Sequence, residues 1–156
     1  MPPVIDAHIN FDDTLPSAYW NNSDKRTAKA LCNFNDGETG NYVAYADAAT
    51  EYGTGFDLKA EKLDTAKGHA ILFEGDFCSG EELRNVLIAG YAGHGDVINY
   101  QQYFDLSTQV KEKSKWSTVQ FLFNINKPEA ADEIKIFLWN PERKYVCYDN
   151  WRVRVY

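Results

Sequence analysis

A chain of 156 residues that is 44% apolar and 15% aromatic is long enough for one domain with a continuous core and too apolar to remain disordered. Its 23 acidic residues outnumber 16 basic ones, giving a net charge of -7 with no basic stripe, which argues against nucleic acid or an anionic membrane surface as partner. Membrane insertion is not expected either, because no apolar run approaches the roughly 20 residues needed to cross a bilayer.

Ala7 to Asp12 is a short strand candidate. The stretch from 16 to 40, with Asn21-Asn22, Asn33, Asn35-Asp36-Gly37 and Gly40, is the least periodic part and reads as loops around one short strand near Ala28 to Phe34. Asn21-Asn22-Ser23 also fits a glycosylation sequon, a motif too short to carry weight. Asn41 to Ala46 and Gly55 to Leu58 are further short strands, with Glu51 to Gly55 read as a loop. From His69 onward the alternation is sustained: His69, Ile71, Phe73, Gly75 and Phe77 share one face, and Ala70, Leu72, Glu74 and Asp76 the other.

Leu83 to Tyr91 and Asp96 to Leu106 are apolar and aromatic segments joined by Ala92-Gly93-His94-Gly95, which suits a hairpin turn. Ser117 to Ile125 alternates strictly, with Val119, Phe121, Phe123 and Ile125 on the core face. Glu133 to Trp139 turns Ile134, Ile136 and Leu138 inward, which leaves Phe137 and Trp139 outward. After the Asn140-Pro141-Glu142-Arg143 turn, Lys144 to Tyr156 sets Cys147, Asp149, Trp151, Val153 and Val155 on one face. These last three strands read as a meander. Eight to ten strands without a sustained amphipathic helix predict an all-β fold, a two-sheet antiparallel β-sandwich covering 1–156 as a single domain.

Cys32, Cys78 and Cys147 are odd in number and widely spaced, so they define no disulfide framework; Cys147, within an apolar strand pattern, reads as a buried free thiol, with one bridge plus a spare thiol as the alternative. Met1 to Asp6 lacks the basic and apolar segments of a signal peptide, which fits either a cytoplasmic protein or a domain excised from a larger exported one. No catalytic constellation is legible. His8, His69 and His94 have no close ligand spacing, Ser79-Gly80 lacks the context of a nucleophile, and the glycines around Tyr91 and His94 precede no lysine or helix. A polysaccharide-lyase reading through His94, Tyr91 and Arg84 stays open but is disfavoured by the opposite parity of Arg84 and Tyr91.

The closing block Glu133 to Pro141 and Tyr145 to Tyr156, together with Asn10-Phe11-Asp12, the Gly37 to Ala46 segment and Trp116 to Phe123, resembles the galactose-binding-like jelly rolls found in many carbohydrate-binding modules. The resemblance implies a jelly roll with both termini in adjacent strands, a secreted or cell-surface setting, and a poly- or oligosaccharide as partner. It also implies a structural calcium held by Asp12 or Asp13, backbone carbonyls near Gly37 and Asn41, and Asp149. Asp149 has a physical reading of its own, because a carboxylate at the rim of a sandwich must be paired, hydrogen-bonded or metal-bound.

For the sugar, the outward residues Trp139, Phe137, Gln120 and Glu74 are the first candidates and the loop residues Tyr19 and Trp20 the second, since aromatic planes beside amide and carboxylate groups suit a pyranose. The expected function is a non-catalytic carbohydrate-binding module. The alternative is a structural or protein-interaction sandwich packed against other domains of the same protein.

Overall fold

The computed structural model describes residues 1–12, 18–21, 25–28 and 42–156. Its strands are β1 (Ile5–Ile9), β2 (Trp20–Asn21), β3 (Arg26–Ala28), β4 (Tyr42–Ala46), β5 (Tyr52–Lys59), β6 (His69–Cys78), β7 (Leu87–His94), β8 (Val97–Asp105), β9 (Ser117–Ile125), β10 (Glu133–Trp139) and β11 (Val146–Val155). Two antiparallel sheets face each other as a jelly-roll β-sandwich. One runs β3-β4-β11-β6-β9 with β1 also on β11, and the other runs β2-β5-β10-β7-β8. Among the described residues the only helical elements are single 3₁₀ turns at Ala60–Lys62 and Leu106–Thr108.

The strand alternation decides the inside. On β9 Val119, Phe121, Phe123 and Ile125 are buried, and on β10 Ile134, Ile136 and Leu138 are buried while Lys135, Phe137 and Trp139 are half-exposed on the outside. As expected, the first strand lies beside the last, with Ile5 opposite Val155 and Ile9 opposite Trp151. The meander, however, does not form. β9 pairs with β6, β10 with β5 and β7, and β11 with β1, β4 and β6, so the chain crosses between sheets at each connection. Alternation specifies which face of a strand is buried and not which strand lies beside it.

Other boundaries moved for local reasons. Glu51 to Gly55 is no loop: β5 begins at Tyr52, which pairs with Trp139 of β10, and Gly55 pairs with Phe137 across a register shift. Ala92 to His94 completes β7, which leaves Gly95, in the left-handed region at φ 53°, to make the turn into β8. Of the strand expected near Ala28 to Phe34, Arg26–Ala28 pairs with β4 and the remainder lies outside the described residues.

The largest departure is in β11. Register slips between Asp149 and Arg152, with Asn150 at φ 51°, and this bulge inverts the side-chain parity. Tyr148 therefore points inward before the bulge and Trp151, Val153 and Val155 after it, while Cys147 and Asp149 belong to the outer side. Trp151 ends up fully buried, stacked on Tyr148 at 4.7 Å and edge-on to Phe73 at 5.1 Å. Gly75 is required under it, because a Cβ there would stand 2.7 Å from Trp151 Cδ1. Cys147 is not a free thiol but disulfide-bonded, and Cys78, directly opposite, is the buried free one, its thiol pushed up to about 11 by burial and so unreactive. Cys32 lies outside the described residues.

Candidate functional site

The outer face of the β2-β5-β10-β7-β8 sheet carries the aromatic residues that the strand parity predicted for β10, together with neighbours that it did not. Cross-strand register sets Gly55, Phe137, Ala89 and Tyr103 in one row. Next to it lies Asp57, Lys135, Tyr91 and Gln101. Tyr52 sits 6.0 Å from Phe137 and is 62% exposed, and Tyr103 sits 5.3 Å from Trp139. Because Gly55 brings no side chain to this face, where a Cβ would stand 3.1 Å from Phe137 Cβ, a groove of about 320 Å³ opens beside Phe137, walled by Tyr52 and edged by Asn21 and Lys135.

A second hollow, of about 310 Å³, continues past Asn21 and is lined by Tyr19, Asp57, Lys59, Lys62 and Glu133. Lys62 Nζ stands 5.5 Å from the centre of the Tyr19 ring. Burial, reinforced by the charge of Glu133, holds the Asp57 carboxyl above the usual aspartate range. At the far end of the face Glu51 accepts from Arg143 at 3.1 Å and lies 3.5 Å from Trp139 Nε1; a hydrogen bond to Glu51 also raises the Tyr52 phenol above its ordinary value.

The six sugar-site candidates are thus divided. Phe137 and Trp139 share this face, and Tyr19 flanks it. Trp20 does not: only 5% exposed, it packs into the core against Phe56 and Trp151. Glu74 and Gln120 are cross-strand partners in the other sheet, on the opposite side of the sandwich, where Glu74 pairs with Arg154. Outward parity alone could not tell the two outer faces apart. Tyr52 was missed because its segment was read as a loop, and Tyr103 because its segment was read for strand character and not for which face it presents.

The metal candidates divide as well. Asp13, Gly37 and Asn41 lie outside the described residues. Asp12 accepts a hydrogen bond from Tyr42 N at 2.8 Å and so ties the chain after β1 to the start of β4, and Asp149 accepts from Asn150 N at 2.9 Å. β1 and β4 lie end to end along one edge of β11 and meet beside the bulge, so the fold brings Asp12 and Asp149 to one junction.

A different group assembles at the end of the sandwich where the β7–β8 hairpin meets the connection from β9 to β10. His94, Glu129 and Asp132 bring ligand atoms within 4.8 Å of one another, a group able to hold a divalent ion. The Asp132 carboxylate has no exposed surface, accepts from His94 Nδ1 at 2.6 Å, from Asn99 Nδ2 at 2.9 and 3.0 Å, and from Glu129 N at 2.9 Å. Burial pulls this carboxyl upward, but the donors outweigh it and the group sits below the ordinary aspartate value of 3.8. A depressed folded-state value contributes stability that is present above pH 3.8 and lost as the pH falls through the lower value. Acid melting should therefore steepen in that window for the parent and flatten for Asp132→Asn, as thermal scans between pH 6 and about 2 would measure; parallel curves would remove Asp132 from the acid response.

No family model matches the chain, and no curated protein matches its sequence. Solved structures do. The chain is similar to the CBM22-1 xylan-binding domain of Paenibacillus barcinonensis Xyn10C, at 12% identity and TM-score 0.51 over 96% of this chain and 92% of that one. It is also similar to the CBM22-2 xylan-binding domain of the same protein, at 11% identity and TM-score 0.50 over 96% and 99%. The K1 cleaved adhesin domain of Lys-gingipain from Porphyromonas gingivalis W83 matches at 11% identity and TM-score 0.45 over 96% and 98%. At such identities the likeness to the two xylan-binding domains shows the fold alone, a β-sandwich.

Proposed function

We propose that the chain is a non-catalytic carbohydrate-binding module whose ligand lies along the outer face of the β2-β5-β10-β7-β8 sheet. The reading rests on the groove beside Phe137, where Gly55 leaves the surface clear between aromatic walls and an amide and an ammonium stand at its edge. A pyranose offers an apolar ring face and a rim of hydroxyls. Tyr52 and Phe137 cover the first, while Asn21 and Lys135 take the second. Trp139 with Tyr103 extends the platform on one side and the Tyr19 hollow on the other, which suits an oligosaccharide better than a single sugar. Glu74 and Gln120 belong to the opposite face, so one glycan chain does not touch them together with Phe137.

Because the two solved structures at TM-scores of 0.51 and 0.50 are xylan-binding domains, xylan is the first probe, followed by other plant and host polysaccharides. Calorimetric titration tests the reading: saturable heat with one of them supports it, and none with any of them contradicts it. The second reading, docking against another domain of the same protein, draws on Val97 and Ile98, which are 44% and 58% exposed on the edge strand β8. Either role fits an extracellular, periplasmic or cell-surface setting, as does the disulfide at Cys147.

A structural calcium is part of the proposal. Asp12 and Asp149 supply hard oxygen ligands at one junction, with Asp13 and the carbonyls near Gly37 and Asn41 completing the set. Asp76 stands directly opposite Asp149 on the same side of the sheet, a like-charge pairing that a divalent cation would relieve. Removing calcium with a chelator should lower the melting temperature, since an ion that binds only the folded state stabilises it. An unchanged melting curve, with no calcium by elemental analysis, counts decisively against the site.

A further inference from the structure

We infer that His94 and Glu129 form a binding site for a first-row divalent transition ion such as zinc, with Asp132 as the positioning residue behind the histidine. The geometry carries this. Asp132 is ionised and buried and accepts from His94 Nδ1, which fixes the proton on that nitrogen and turns the Nε2 lone pair outward. Facing it, 3.5 Å away, is Glu129 Oε2. Two electron-rich atoms at that separation need something positive between or on them. The distance matches the bite of a single ion that holds a nitrogen and an oxygen at about 2.0–2.2 Å each in tetrahedral geometry.

The chain's own framework holds both donors. Asn99 and the Glu129 backbone N–H occupy the remaining acceptor positions of Asp132, so the acid orients His94 and is not itself needed as a ligand. His94 closes β7 and Glu129 follows Pro128, so both backbones are held. His94 is about one-third exposed and Glu129 more than half, which leaves an entry path and coordination positions for water. Imidazole beside carboxylate selects zinc, nickel or copper over calcium, which takes six to eight oxygens; this site is therefore distinct in chemistry and place from the one at Asp12 and Asp149.

The charges facing the histidine also frame the alternative. Without metal, contacts among His94, Glu129 and Asp132 alone account for the same geometry. Isothermal titration of the whole chain with zinc chloride is the test, with melting curves on every variant. The inference predicts one zinc per chain, uncompeted by calcium, lost in His94→Gln, weakened in Glu129→Gln and weakened about 10–100-fold in Asp132→Asn. Glu129 is exposed enough for its variant to fold, so the test does not depend on the buried acid. No binding up to about 1 mM zinc, or an affinity unchanged in His94→Gln or in Glu129→Gln, would overturn the assignment and leave the cluster as an ion pair.

Discussion

Trp151→Ala is expected to cost about 3–5 kcal/mol, the usual range for truncating a fully buried aromatic, and to lower the melting temperature by roughly 6–20 °C. The indole lies at the centre of the core, packed against Tyr148, Phe73 and Phe77 and within 6.4 Å of Trp20 from the other sheet. The cavity cannot close easily. Tyr148 is held by Thr54, whose hydroxyl lies 3.0 Å and whose N–H lies 3.1 Å from the phenol oxygen, and β6 is anchored on both sides by β11 and β9. Chemical denaturation of parent and mutant measures the cost. A loss under 1 kcal/mol would mean that the β11 bulge does not deliver this side chain to the core.

The second large effect is on binding. Tyr52→Ala combined with Phe137→Ala should reduce glycan affinity by roughly 30-fold or more, the loss of about 2 kcal/mol set by one central aromatic anchor, since truncations of two touching rings do not simply add. The fold should survive, because Tyr52 is exposed and Phe137 lies on the outer side of β10 while its core residues Ile134, Ile136 and Leu138 stay in place. Trp139→Ala should weaken binding less, its ring being partly engaged by Tyr103 and Glu51. Calorimetry with melting curves separates loss of contact from loss of fold, and unchanged affinity in a folded double mutant would remove the groove from consideration.

Strand parity on β9 and β10 could be read directly because a half-buried strand repeats every two residues, and these two segments hold that period without interruption. The same rule misled at Cys147. A single residue at φ 51°, Asn150, breaks the period, and nothing in the local composition marks it as a bulge. Pairing was less legible still: Glu74 and Phe137 are both outward, yet on opposite sides of the molecule, because sheet membership is set by contacts between strands far apart in sequence.

The groove was partly visible, through Phe137 and Trp139. Its other wall was hidden by reading Tyr52-Gly53-Thr54-Gly55 as a loop, when Gly55 is what leaves the face open beside Phe137. His94 and Asp132 are separated by 38 residues, so no spacing motif joins them; only the fold does.

The claim that this outer face receives the ligand is tested most directly by following backbone amide resonances during titration with xylo-oligosaccharides, or with whichever glycan calorimetry selects. Shifts concentrated at Tyr52 to Asp57 on β5, at Lys135 to Trp139 on β10 and around Tyr103 on β8, with β6 and β9 unmoved, are the predicted result. Shifts centred on Glu74 and Gln120, or confined to positions remote from both β5 and β10, would contradict it.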